Sequence, residues 1–326
     1  MKKLKADLWE DTIIIAMRDM QWSNFIRWRD SVVRNATRNQ DLVSSGVTRR
    51  VKLTDELEAV RPPGFVKLDG NAETKLSDVA LKAGERFFLM EVKSTFSKVR
   101  TEWRKKGKYF PKFMLQRLSE LVECAETNPD ADAMLDLCLR GHYATYWSPQ
   151  EVNGGLRGTV VSMPYVVACE TARNGSDIAK RRGVRLNRAF YPGIRSADNP
   201  DRSFKGIAFE ELMKGLGEMQ LHEEQSHMPL GLDEAEFLKY TAFLCGGDAD
   251  SNGFELPSDH SVEARLHEPL HLVSLSTVGT HMKVMGSTAH LAALLDGKFR
   301  PSPRWGASAN LQSSKPNASR GSAPKG

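Results

Sequence analysis

The chain has 326 residues, of which 40% are hydrophobic, enough to bury one large core or two smaller ones. No apolar run approaches the roughly 20 residues that cross a bilayer, so we expect a cytoplasmic protein that makes no membrane contact. The four cysteines stand far apart without a C-x-x-C pair, which excludes a disulfide-rich scaffold and predicts reduced core thiols.

The charge is unevenly divided along the chain, although its net value is only +5. Residues 1–117 carry 25 Lys/Arg against 15 Asp/Glu, whereas residues 118–326 carry 21 against 26. This asymmetry favours a polyanionic partner for the first half, and a solvated surface that happens to be basic is the alternative.

An N-terminal helical region is predicted over residues 1–53. Apolar residues recur at helical spacing through residues 9–33, interleaved with arginines. Arginines beside tryptophans could bind a nucleic-acid backbone, but an amphipathic packing helix with a basic outer face explains them more simply.

Residues 54–150 show the order helix, three strands, helix, strand. Asp55 and Glu58 have capping-box spacing, residues 65–68 are strand-like, and a turn signal follows at 69–71. Residues 77–81 and 86–93 form a predicted hairpin around the loop 82–85. A helical pattern then runs from Met114 to Val122, and residues 142–147 resemble a further strand.

Residues 151–297 form an additional mixed region. Residues 158–169 are predicted to be a buried strand or hairpin, 209–221 and 233–244 helices, and 270–295 a strand followed by a helix. Residues 298–326 are rich in Ser, Pro, Gly, Asn and Lys, so we expect a disordered tail.

The predicted hairpin contains the candidate catalytic residues. Side chains alternate along a strand, so Glu91 and Lys93 share one face of a largely apolar segment. A symmetrical turn about Ala83 and Gly84 pairs residues whose numbers sum to 167 and places Asp78 on the same face, diagonal to Glu91. Two carboxylates at that separation can converge on one hard cation, with the Val92 carbonyl and waters completing an oxygen sphere.

These residues carry a resemblance to a known family. Ser77-Asp78, twelve residues, then Glu91-Val92-Lys93 resembles the PD-(D/E)XK nuclease superfamily, with Ser77 where that pattern often has proline. The order of elements over 54–147 is similar too. The resemblance implies an α/β fold, a restriction-endonuclease-like mixed sheet flanked by helices.

The resemblance also implies roles for individual residues. Asp78 and Glu91 would bind Mg²⁺, with Mn²⁺ as a substitute, and Lys93 would orient water and offset charge on the scissile phosphate. Glu58 or Glu56 is a candidate for the glutamate that the family often adds before the first strand. Gln116 is the candidate for the polar residue on the helix after the catalytic strand.

A basic stretch follows the predicted metal site. Residues 98–112 hold seven Lys/Arg opposed only by Glu102 and interleaved with aromatic residues. We expect a duplex backbone to bind here, the alternative being a solvated basic loop. The predicted nucleic-acid contacts are Arg100, Arg104, Lys105, Lys106 and Lys108.

Two other motif matches are set aside. His267-Glu-Pro-Leu-His271 has the letters of a zinc-protease motif, but Pro269 breaks the helix that this motif requires. Residues 248–259 start like a calcium loop, although Glu255 and Pro257 suit a polar turn better.

The sequence therefore predicts a Mg²⁺-dependent DNA endonuclease, acting in restriction, phage defence, recombination or repair. The alternatives are a non-catalytic nucleic-acid-binding or assembly subunit with a nuclease-like fold, and an RNA-processing enzyme with the same site. A protein partner bound through residues 151–297 and a homo-oligomer are both left open.

Overall fold

The structure is a computed structural model. The protein is organised around one large mixed β-sheet with helices on both faces. The structure describes residues 9–40, 64–69, 71–103, 113–152, 155–173, 185–186, 206–213, 218–220, 227–246, 270–275 and 281–296. None of the helices within these ranges combines the length and apolar character that spanning a bilayer requires.

The strands fall into two sheets. They are β1 (Phe65–Asp69), β2 (Val79–Ala83), β3 (Arg86–Thr95), β4 (His142–Val152), β5 (Gly155–Pro164), β6 (Arg185–Leu186), β7 (Ile207–Ala208), β8 (Glu218–Gln220), β9 (His227–Pro229), β10 (Leu270–Leu275) and β11 (His281–Gly286). The large sheet has the order β11-β10-β1-β2-β3-β4-β5-β7, and β6, β8 and β9 form a small second sheet. Strands β3 and β4 are parallel, and the other neighbours in the large sheet are antiparallel.

Local sequence signals explain where several helices begin. The helices are α1 (Glu10–Gln40), α2 (Asn71–Lys75), a 3-10 helix (Phe96–Trp103), α3 (Phe113–Cys124), α4 (Pro129–Gly141), α5 (Tyr165–Arg173), α6 (Phe209–Met213), α7 (Glu234–Cys245) and α8 (Thr288–Leu295). Asn128 caps α4 ahead of Pro129, Asp233 and Glu236 form a capping box at α7, and Ser287 caps α8. These side chains accept hydrogen bonds from N–H groups that the first helical turn leaves unpaired.

The β2–β3 hairpin differs in register from the sequence prediction. Ala80 pairs with Leu89, so facing residues sum to 169 rather than 167, and the loop is two residues long rather than four. The predicted pairing is therefore wrong by two residues. Because the side-chain period of a strand is also two, the shift keeps Asp78 on the Glu91 face and moves it from a diagonal position to one opposite Glu91.

Strand β3 is covered on both faces. Phe87, on the face that carries the predicted site, stacks against Phe237 of α7 with ring centroids 5.0 Å apart. On the opposite face α1 packs against β3, and Lys67 of β1 lies 3.0 Å from Asp11 of α1. The buried side chains of these layers form the hydrophobic core.

The sheet continues across the predicted boundary at residue 150. Strands β5, β7, β10 and β11 all come from residues 151–297, yet β5 pairs with β4 and β10 pairs with β1. The predicted mixed α/β class is confirmed, and the second half of the chain extends the sheet that the first half begins. None of the four cysteines forms a disulfide, and Cys124 is partly exposed whereas the others are buried.

Several predicted elements need correction. Residues 158–169 are neither one strand nor a hairpin, because β5 ends at Pro164 and α5 begins at Tyr165. The predicted helix 209–221 ends at Met213, and Glu218–Gln220 is a strand. Helix α5 was misassigned because a helix buried on most sides lacks a polar stripe and resembles an apolar strand.

Other predictions fall on residues outside the described ranges. These are the candidates Glu56 and Glu58, the basic residues 104–112, the calcium-like loop 248–259 and the tail 298–326. His271 of the zinc-protease match lies in β10, which agrees with rejecting a helical motif there.

Candidate active site

The Asp78 side chain accepts a hydrogen bond from the backbone of β3. It lies just before β2, and its Oδ2 accepts from the N–H of Val92 at 2.6 Å. The N–H of Leu68 donates to the Asp78 carbonyl at 2.9 Å, which anchors the residue to β1 as well. The Asp78 side chain is 15% exposed, so it lies at the edge of the buried sheet with some access to solvent.

Lys93 brings the three predicted site residues together. Its Nζ donates to Glu91 Oε1 at 2.5 Å and to the Val92 carbonyl at 3.2 Å, and lies 4.0 Å from Asp78 Oδ2. Glu91 and Lys93 are each only 4% exposed. The structure therefore places Asp78, Glu91 and Lys93 on one side of the sheet, where β2 begins and β3 approaches its end.

The sheet is irregular beside this cluster. In the parallel pairing of β3 with β4, the register shifts between Lys93 and Thr95. Such bulges redirect side chains and end regular pairing, and they are common next to active sites. The irregularity separates the cluster residues on β3 from the 3-10 helix that follows.

Glu102 is a fourth charged member of the cluster that the sequence analysis did not select. Its Oε1 lies 3.2 Å from Lys93 Nζ, and its Oε2 accepts from the Tyr165 hydroxyl at 2.8 Å. The residue is fully buried. The signal in the sequence was that Glu102 is the one acidic residue among the seven cations of residues 98–112.

The 3-10 helix that carries Glu102 is fastened to α5. Trp103 Nε1 donates to the carbonyl of Cys169 at 3.1 Å, and Arg100 Nε donates to the carbonyl of Ala172 at 2.5 Å. At the start of α5, the Tyr165 ring stacks on His142 with centroids 4.7 Å apart. These contacts fix Glu102 over the face of the sheet that carries Lys93.

Burial and charge act on the ionisable groups in opposite ways. Burial raises the pKa of Asp78 to about 6, although the Lys93 charge and the Val92 N–H oppose the rise. For Lys93, burial opposes the charged form, but the carboxylates of Glu91, Glu102 and Asp78 outweigh it and raise its pKa. Lys93 is therefore an ammonium, suited to balancing negative charge rather than accepting a proton.

The donors present suit a hard divalent cation. No group of three or more His, Cys, Asp or Glu residues within the described ranges is arranged to hold a metal ion. Asp78 and Glu91 instead offer two carboxylates, and a carboxylate has about four lone-pair sites. An all-oxygen pair of this kind fits Mg²⁺ or Mn²⁺, which keep several waters as ligands.

Among the described residues, the predicted site residues Gln116 and Arg100 make hydrogen bonds outside this cluster. Gln116 lies on the exposed side of α3, where its Nε2 donates to Glu120 of the same helix. Arg100 is exposed on the 3-10 helix, with its Nε held by Ala172. Four predicted nucleic-acid contacts, Arg104, Lys105, Lys106 and Lys108, lie outside the described residues.

The chain matches no protein-family profile, no curated protein and no solved structure.

Proposed function

We propose that the protein is a Mg²⁺-dependent DNA endonuclease that hydrolyses phosphodiester bonds with Asp78, Glu91 and Lys93. The observation that carries the proposal is the convergence of two carboxylates and one ammonium on one side of the sheet. Burial raises the pKa of Asp78 to about 6, and perturbed acids of this kind are concentrated at functional sites.

The order and direction of the strands add to the proposal. Strands β1, β2 and β3 form an antiparallel meander, and β4 returns parallel to β3 after α3 and α4. We propose that this unit is a restriction-endonuclease-like core, because three strands, helices and a fourth strand follow one another as in the segment that resembles the PD-(D/E)XK superfamily. The helix predicted before β1 lies outside the described residues, and two helices, α3 and α4, stand where the sequence predicted one. Strands β10 and β11 extend that core at the β1 edge, and β5 and β7 extend it at the β4 edge.

Each residue would have a separate task in the reaction. A bound divalent cation supplies positive charge that polarises a phosphodiester and makes water a stronger nucleophile. Asp78 and Glu91 would hold that cation through carboxylate oxygens. Lys93 is cationic and close to both, so it stabilises the negative charge that develops on the phosphate oxygens during hydrolysis.

DNA is proposed as the substrate on the basis of charge. The excess of lysine and arginine in residues 1–117 surrounds the cluster in the sequence, and exposed Arg100 lies on the segment directly after β3. Cations near the cluster would neutralise backbone phosphates without selecting a base sequence.

One observation favours a non-catalytic nucleic-acid-binding or assembly subunit instead. Lys93 engages Glu91 and Glu102 within a buried ion network, an arrangement that can also be purely structural. A binding subunit would bind DNA but show no cleavage that depends on a metal ion.

The test is incubation of the purified protein with plasmid DNA, single-stranded DNA and RNA, with either Mg²⁺ or EDTA. We expect plasmid cleavage with Mg²⁺ and none with EDTA. Glu91→Gln and Lys93→Met should each lower the cleavage rate by about 100-fold or more while DNA binding persists, because each removes a group that acts on the transition state. Faster cleavage of RNA would assign the site to RNA processing.

A matched control comes from the same hairpin. Lys82 also forms ion pairs, with Glu85 and Asp296, but it lies at the far end of β2 from the cluster. Lys82→Met should retain cleavage. If the wild-type protein binds DNA and never cleaves it with Mg²⁺ or Mn²⁺, the non-catalytic alternative replaces the nuclease.

A further inference from the structure

The Lys93 ammonium lies within ion-pair distance of both carboxylates that are the proposed ligands of the cation. Its Nζ is 2.5 Å from Glu91 Oε1 and 4.0 Å from Asp78 Oδ2, so a bound cation would compete with it for these oxygens. A divalent cation and an ammonium repel each other, and a buried charge without a partner is strongly unfavourable. Lys93 therefore needs another counter-ion when those carboxylates bind a divalent cation.

Glu102 meets this need. Its Oε1 is 3.2 Å from Lys93 Nζ, so it can retain the ammonium without a large movement. Its second oxygen accepts from the Tyr165 hydroxyl, and the carboxylate is fully buried. Trp103 anchors the 3-10 helix that carries Glu102 to α5 through a contact that involves neither Asp78 nor Glu91.

We propose that Glu102, held by Tyr165, is a positioning residue that serves as the counter-ion of Lys93 and so leaves Asp78 and Glu91 to a divalent cation. This inference rests on the proposed function. Glu102 acts through Lys93 and does not itself touch the substrate or the cation.

Charge balance gives the direction of the effect. With all four groups ionised, the carboxylates of Asp78, Glu91 and Glu102 and the ammonium of Lys93 sum to −2, which a divalent cation neutralises. With glutamine at position 102, the same cation would leave an uncompensated positive charge in a buried place. Lys93 would then also hold Glu91 more tightly, so cation affinity should fall.

The test measures Mn²⁺ binding to the full chain by calorimetry, without DNA, so that the readout is independent of cleavage. We expect Glu102→Gln to weaken Mn²⁺ binding by about 10- to 100-fold, the usual effect of removing a residue that orients a metal site's own groups. Tyr165→Phe keeps the ring that stacks on His142 and removes the hydroxyl, and should weaken binding by a smaller factor. This milder variant carries the test if Glu102→Gln fails to fold.

The matched control is Glu236→Gln, which weakens the partly buried ion pair with Arg140 at a distance from the cluster. Its Mn²⁺ affinity should equal that of the wild-type protein. A loss equal to that of Glu102→Gln would mean that breaking any such pair disturbs the fold, and would overturn the inference.

A second comparison asks whether Glu102 acts through Lys93. In a Lys93→Met background, Glu102→Gln should change Mn²⁺ affinity much less than in the wild-type background, because the ammonium that it restrains is gone. Equal losses in both backgrounds overturn the inference. Wild-type binding with an unchanged Glu102→Gln variant overturns the inference alone, whereas no Mn²⁺ binding by the wild-type protein overturns the proposed function as well.

Discussion

At the scale of single residues, burial decides which groups near β3 can carry a charge. His142 begins β4 with its side chain fully buried, stacked on Tyr165 and hydrogen-bonded through Nδ1 to the Tyr240 hydroxyl at 2.9 Å. Burial lowers the pKa of His142 to about 3, although the nearby charge of Glu102 acts in the other direction. His142 is therefore neutral in the folded protein over the whole physiological range.

This neutral histidine should make stability depend on pH. In the unfolded chain the pKa of His142 is near its ordinary value of about 6.5. Below that pH the unfolded state therefore binds a proton that the folded state does not bind. The contribution to stability is complete above about pH 6.5 and falls by up to about 1.4 kcal/mol per pH unit as the pH drops toward the folded pKa. Urea unfolding at several pH values measures this slope.

The control for that slope is His142→Gln, which cannot titrate in the same range. We expect the variant to be less stable near neutral pH, because it loses the stacked ring, but to show a shallower fall in unfolding free energy below about pH 6.5. Parallel pH curves for the two proteins would contradict a neutral buried His142.

At the scale of elements, the two-residue loop of the β2–β3 hairpin determines the strand register, and the register decides which face of the sheet carries the site residues. Gly84 has a φ of +58°, in the left-handed region that residues with a Cβ adopt at a cost. A Cβ built at Gly84 would meet nothing within 4 Å, so backbone conformation alone limits substitution there. The turn therefore demands glycine for its dihedral angle rather than for space.

Two substitutions at Gly84 test whether the backbone conformation, rather than the space for a side chain, limits this position. Gly84→Ala should lower the unfolding free energy by about 1 kcal/mol, whereas Gly84→Asn should cost less, because asparagine tolerates left-handed backbone better than alanine. Denaturant unfolding of both variants measures the difference. If Ala and Asn were equally tolerated, the strain argument for this turn would be wrong.

At the scale of the whole molecule, the sheet joins residues from both halves of the chain. The core predicted at 54–150 contributes β1 to β4, but β1 pairs with β10 and β4 pairs with β5. Phe237 of α7 stacks on Phe87, and the N–H of Phe87 donates to the Leu232 carbonyl. The region after residue 150 thus covers edges and apolar surface of the region before it.

We therefore expect a fragment of residues 54–150 not to fold by itself. It would expose the β1 and β4 edges, as well as apolar side chains that α7 covers in the intact chain. Circular dichroism and thermal unfolding should show a cooperative transition for the full chain and none for the fragment. A cooperatively folding fragment would show that its contacts with residues 151–297 are dispensable.

The sequence by itself determined the elements with strong local signals. The helical spacing at the N-terminus, the alternation through Glu91 and Lys93 and the helical pattern of residues 233–244 predicted α1, β3 and α7, all of which the structure contains. It also predicted the shared face of Asp78 and Glu91, even with a register that was wrong by two residues. The shared face was predicted correctly because the face of a side chain depends only on whether the register shift is odd or even.

Only the tertiary structure decided the role of Glu102 and the extent of the sheet. Glu102 meets Lys93 because α5, more than sixty residues later in the chain, holds the 3-10 helix through Trp103 and Tyr165. Likewise β10 joins β1 across some two hundred residues. Local periodicity reports which side of an element is buried, but not which distant element buries it, and that choice depends on packing and pairing of the whole chain.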